Sequence, residues 1–181
     1  MAPRLTKSAS RLAPGLPSTT FVLDNGAYTM KAGFAPGDSQ ADQETIQQCH
    51  VIPNALARTR DRKTYVAAQI DNQINQWSEV AYRRPVEHGQ LVSWEAEKEI
   101  WDQSFFDGKS ARKDLYIKAP EDTTLALGEA ANTIPALQKN ADEVIMEEWG
   151  FGGYLRAAGG YGPTSTDQCY TRANQKHRCV T

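Results

Sequence analysis

A short apolar run, Phe21–Asp24, leads through the polar turn Asn25–Thr29 into a second run, Met30–Phe34. That pattern predicts a β-hairpin. Shorter runs at Cys49–Pro53, Thr64–Val66, Leu115–Ile117 and Thr124–Leu127 predict four more strands. The clearest helix follows Ser93, a residue suited to the N-cap, with Glu95 and Glu97 placing negative charge in its first turns. Trp94, Trp101 and Phe105 fall at i, i+7 and i+11, so they share a face that reads as core, and Gly108 is a stop. A second helix opens at Pro135, carries the stripe Leu137, Ala141, Val144, Ile145 and Trp149, and ends at Gly150. Residues 69–82 have weak periodicity and give no clear element, and residues 83–89 read as a turn. Strands alternating with helices predict a mixed α/β layer fold. From Gly159 the chain becomes rich in breakers, then polar and aperiodic, which predicts no regular structure.

Composition narrows the class without naming it. The 181 residues suffice for one domain with a core, and a net charge of −2 gives no global nucleic-acid signal. Cys49, Cys169 and Cys179 are too few for a disulfide framework and fit a reducing compartment. No apolar run approaches the roughly 18 residues that span a bilayer, so no membrane partner is expected. The first 23 residues hold no Asp or Glu but include Arg4, Lys7 and Arg11. Pro3, Pro14 and Pro17 favour a floppy extension there over a targeting helix. Arg58, Arg60, Arg62 and Lys63 crowd around Asp61, and read as a solvated loop more readily than as a contact for phosphate or an acidic partner.

The first hairpin also carries chemistry. A carboxylate ends its first strand and an ammonium starts its second. Turn amides that point inward can hold phosphate, Lys31 adds positive charge, and Asp24 can organise a hydrated Mg²⁺. His88, in isolation, suits a general base or a metal ligand, but no Cys or carboxylate lies at ligand spacing. Cys169, His177 and Cys179 lack the paired spacing of a zinc site.

The hairpin's spacing resembles the first phosphate loop of the actin family. Other islands follow in the family's order. Val51-Ile52-Pro53-Asn54 with Thr64-Tyr65-Val66 looks like its pair of short strands in the small subdomain. The segment from Arg84 to Glu95, with His88, Gly89 and Trp94 at matching spacing, is a highly specific island. Leu125–Ala130 is similar to the strand ending in a Glu-Ala turn, and Glu143–Trp149 to the helix that follows. The resemblance implies the first lobe of the actin-like (ribonuclease H-like) ATPase fold over residues 20–160: a mixed sheet with flanking helices plus a reduced small subdomain, the second lobe being absent. Residues 1–19 would be a disordered extension and residues 161–181 a disordered tail foreign to the family. The resemblance makes Asp24, Asn25, Gly26 and Lys31 the nucleotide contacts, and His88 a structural turn residue.

Within the family, Asp24-Asn25-Gly26-Ala27-Tyr28 looks most like the nuclear actin-related proteins of class six. The short stretch from Asn54 to Tyr65 leaves no room for the loop by which filament-forming actins engage the next subunit. The resemblance therefore implies a scaffold in the nucleus, and also the cytoplasm, without enzymatic activity or filament formation. Its partners would be other subunits of a chromatin-remodelling complex that exchanges a variant histone, and through them nucleosomes. Departures from the family pattern weaken the nucleotide chemistry. The sequence holds no second Asp-x-Gly-x-Gly hairpin and no adenosine-contacting Gly-rich segment. Ala27 and Tyr28 replace small turn residues, and Gly159 stands where the family places its water-positioning glutamine. ATP or ADP with Mg is thus expected in a full-length relative and not in this chain. The competing readings are an active ATPase or small-molecule kinase of the superfamily, a cytoskeletal actin-like protein, and a chain cut short near Gly160.

Overall fold

Phe21, Leu23, Met30 and Ala32 bury one side of a hairpin, and most of the fold follows from covering that side. A computed structural model describes residues 17, 19–35, 49–74, 80–130, 132–158, 168–171 and 176–178. Its strands are β1 (Thr19–Asn25), β2 (Thr29–Phe34), β3 (His50–Pro53), β4 (Leu56–Thr59), β5 (Thr64–Val66) and β6 (Val80–Arg83). They continue with β7 (Val86–Glu87), β8 (Gln90–Leu91), β9 (Thr123–Glu129), β10 (Gly153–Ala158), β11 (Gln168–Thr171) and β12 (Lys176–Arg178). The helices are α1 (Ala68–Gln73), α2 (Trp94–Trp101) and α3 (Pro135–Glu143).

The large sheet has the order β12-β11-β10-β9-β1-β2-β3, and a small sheet has the order β5-β4-β6. β1 and β2 are antiparallel, with Asp24 opposite Lys31. β9 runs parallel to β1, and β10 parallel to β9. The carboxyl ends of those three strands therefore lie along one edge, where α/β folds place their ligands. Phe21, Leu23, Ile52, Leu125, Leu127 and Tyr154 join Ile100, Trp101, Phe105 and Ile145 of the helical segments in one core. Trp101 stacks on Trp149 at 4.6 Å, and Phe21 meets Phe105 edge-on at 5.1 Å. The opposite side of the sheet is open at Val22 and Val51, which are 44% and 63% exposed. Parallel strands are usually covered on both faces.

Both long helices widen at their ends. Asp107 N–H donates to Asp102 O and Trp149 N–H to Val144 O, i to i+5 bonds that define π turns over Asp102–Phe106 and Val144–Glu148. Gly150 follows with φ of 69°, the left-handed stop expected of it. Ser93 sits at the predicted N-cap but does not cap through its side chain; its Oγ accepts from Arg83 at 3.2 Å instead.

The observed elements differ from the predicted ones at several places. Leu115–Ile117 is not a strand: Leu115 and Ile117 are buried, but their N–H groups go to Arg112 O and Phe105 O, so the apolar run plugs the core as a loop. The strands at residues 50–53 and 64–66 do not pair. A bend at Asn54 and Ala55 passes the chain from the large sheet to the small one, where β5 pairs with β4. The weakly periodic 69–82 stretch supplies part of α1 and of β6. Two strands, β11 and β12, fall within 161–181, where the sequence predicted none; they extend the sheet from β10. The predicted extension 1–19 lies outside the described residues except for Pro17 and Thr19.

Gly152 sits where β10 begins, and its N–H donates to Pro120 O and Thr123 O. A Cβ there would stand 2.0 Å from Glu121 O, which is backbone and cannot swing aside. Gly152→Ala is therefore expected to destabilise the chain by about 1–3 kcal/mol, as overpacking does. Urea denaturation reads the loss, and an unchanged midpoint would contradict it.

Candidate functional site

The hairpin register brings Asp24, Asn25, Gly26 and Lys31 to one turn at the sheet's edge. Lys31 Nζ donates to Asp24 Oδ2 at 2.8 Å, and both side chains are about half exposed. An ion pair at that exposure is worth roughly 0–1 kcal/mol. It therefore opens readily to a competing anion or cation. Gly26 is required by space: a Cβ there would lie 2.6 Å from Thr29 O. Tyr28 points to solvent at 71% exposure, with the Arg84 guanidinium 4.4 Å over its ring. Arg84 also faces Tyr82 at 5.5 Å, so a cation lies between two aromatic rings beside the turn.

Beneath the turn lies a buried layer. Asn54 is 0% exposed and its Nδ2 donates to Asn25 Oδ1 at 3.1 Å and to Gly26 O at 2.9 Å. Asn54 N–H donates to Tyr28 O. Glu97 of α2 is also 0% exposed and accepts from the Trp101 indole at 2.5 Å. Burial pushes its carboxyl up to about 7, against the neighbouring polar side chains of Asn25, Trp101 and Asn54, which act to lower it. The sequence showed Glu97 only as a first-turn charge. Its position, three residues after Trp94 and four before Trp101, already placed it on the apolar stripe.

A second polar cluster closes the neighbouring strand ends. Arg156 of β10 pairs with Glu129 at 3.0 Å and with Asp142 of α3, and donates to Gln138 O at 3.2 Å. Tyr154 donates to Glu129 Oε1 at 3.4 Å. Burial raises the Glu129 carboxyl, with the Arg156 charge opposing the shift. Burial also drives the Tyr154 hydroxyl up. Burial works against the Arg156 charge, but Tyr154, Glu129 and Asp142 outweigh it and hold the guanidinium protonated. Between the turn and this cluster lies a cleft of about 40 Å³ lined by Asn25, Gly89, Trp94, Gly128, Glu129 and Leu137, among others. It is roomy enough for a water or two, not for a nucleotide.

The remaining candidates have plainer roles. His88 and Gly89 have φ of 50° and 78° and form the two-residue turn between β7 and β8, as expected of a structural turn. The basic cluster is the exposed β4–β5 hairpin turn. Asp61 there bonds to Thr59 and Lys63, which hold its carboxyl below the usual range. Among the described residues no group of three metal-ligating side chains occurs. Of the tail trio, Cys179 lies outside the described residues, as does Gly159.

The actin family profile matches residues 15–161. The actin-like protein arp6 of Aspergillus fumigatus is 55% identical over 163 residues, covering 87% of this chain and 34% of the relative. The actin-like protein arp6 of Emericella nidulans is 55% identical over 157 residues, covering 85% and 33%. Actin-related protein 6 of Neurospora crassa is 46% identical over 153 residues, covering 84% and 32%. The chain thus spans about a third of the length of these curated relatives.

Proposed function

The chain belongs to the actin family, and from that premise we propose that it serves as a scaffold rather than a catalyst. In this reading it is the actin-related component of a nuclear chromatin-remodelling assembly that exchanges a variant histone. It touches nucleosomes through its partner subunits. Its similarity to proteins named actin-like protein arp6 and actin-related protein 6 supports the class. The observation that carries the non-catalytic part is the half-exposed turn itself, whose Lys31 is already paired to Asp24. Catalysis of phosphoryl transfer rests on charge held in place and water shut out. A half-exposed ion pair that opens readily to solvent does neither. The residues that would hold ATP or ADP are Asp24, Asn25, Gly26 and Lys31, with Asp24 facing a hydrated Mg²⁺. Bound nucleotide would supply cohesion between two lobes, and Lys31 would orient its phosphates.

The match of those four turn residues also favours a second reading, nucleotide turnover. It fits less well, because no carboxylate at the turn is placed to activate a nucleophile while Asp24 is bound to Lys31. Purifying the tagged chain from nuclei tests the proposal. The other subunits of a histone-exchanging remodeller and the variant histone are expected to accompany it, with no ATP hydrolysis by the isolated chain. Turnover that disappears in Lys31→Ala would overturn the non-catalytic reading.

A further inference from the structure

Two buried acceptors under the phosphate turn, Asn54 Oδ1 and Glu97 Oε2, find no donor among the protein groups. The Asn54 amide already donates upward to Asn25 Oδ1 and Gly26 O. The Trp101 indole already donates to Glu97 Oε1. One hydrogen is missing from this set, and a carboxylic O–H on Glu97 is the group that supplies it. An ionised carboxylate would add charge to a dry site and leave both acceptors unpaired.

We propose that Asn54 and Glu97 are positioning residues of the β1–β2 turn, and that the turn's shape follows the proton on Glu97. Asn54 is the link: it touches the turn at Asn25, Gly26 and Tyr28, and it touches the carboxyl below. The side chains that act on the carboxyl are the uncharged Asn25, Trp101 and Asn54. The nearby charges are engaged elsewhere: Asp24 with Lys31 on the hairpin, Arg84 over the Tyr28 ring, and along α2 Glu95 with Arg83 and Lys98 with Glu148. Burial that raises the carboxyl to about 7 brings the proton's loss into the neutral range. When Glu97 ionises, it competes for the Asn54 amide, and the bonds to Asn25 and Gly26 loosen. The brace acts on backbone with or without a phosphate ligand, so it stands apart from the nucleotide reading.

Proton–nitrogen correlation spectra of the whole 181-residue chain between about pH 5.5 and 8.5 test the brace. The Trp101 indole N–H and the amides of Gly26, Ala27 and Tyr28 are expected to shift together, with one midpoint near 7. Glu97→Gln should abolish that shared titration while keeping a dispersed spectrum. Asn54→Ser should let the indole titrate while the turn amides no longer follow, and it serves alone if the Gln variant does not fold. Turn amides that stay fixed with pH in the parent chain would overturn the proposal. So would turn amides that go on titrating in either variant.

Discussion

Arg156→Met is expected to cost the chain about 3–5 kcal/mol of stability near neutral pH, the usual consequence of stripping one partner from a buried ion cluster. Arg156 is 8% exposed, and it holds Glu129 at 3.0 Å together with Asp142. Methionine fills much of the same volume, so the loss reports charge rather than a cavity. Without the guanidinium, Glu129 keeps the Tyr154 hydroxyl as its one donor among the described residues. The charged carboxylate is then left in a site that already raises its pKa. Adding Glu129→Gln to the variant should recover part of the loss. Urea denaturation of the three chains checks this, and a loss below about 1 kcal/mol would show an exposed pair of ordinary weakness.

Glu97→Gln is expected to do the opposite. The folded chain holds the Glu97 proton to about 7, against an ordinary value of 4.5 for an unburied Glu. A group with a raised folded value favours folding fully at pH below its unfolded value. That contribution fades as pH climbs towards the folded value. Near pH 4 the parent and variant should therefore be equally stable, as both carry a neutral group. Above about pH 7 the parent should be weaker by about 3 kcal/mol, the equivalent of the gap between the two values. Glutamine has a neutral amide that keeps a donor in the buried layer. Unfolding curves across pH decide it: parallel pH profiles for the two chains would mean that Glu97 is not held neutral.

Much of the scaffold was readable from pattern, because the hairpin and both long helices obey local rules. Phe21–Asp24 and Met30–Phe34 flank breakers, and Pro135 and Gly150 bracket a periodic stripe. Tertiary context decided the rest. Leu115–Ile117 has the composition of a strand, but its N–H groups go to Arg112 O and to Phe105 O of the helical segment rather than to a strand. The bend at Asn54 moves the chain between sheets, a step that no periodicity announces. The site divides in the same way. Its four turn residues are adjacent in sequence or paired by the hairpin, so spacing alone gathers them. Asn54 and Glu97 come from a bend and a helix distant in sequence, and only packing sets them under the turn. Glu129 and Arg156 likewise meet only because β9 and β10 lie side by side.

The four candidate nucleotide residues meet at a half-exposed turn, and the scaffold reading depends on these residues holding nucleotide only weakly. Calorimetric titration of Mg-ATP into the 181-residue chain measures this directly. No saturable heat is expected up to about 1 mM nucleotide, which corresponds to less than roughly 4 kcal/mol of binding. Micromolar binding that vanishes in Lys31→Ala would contradict it.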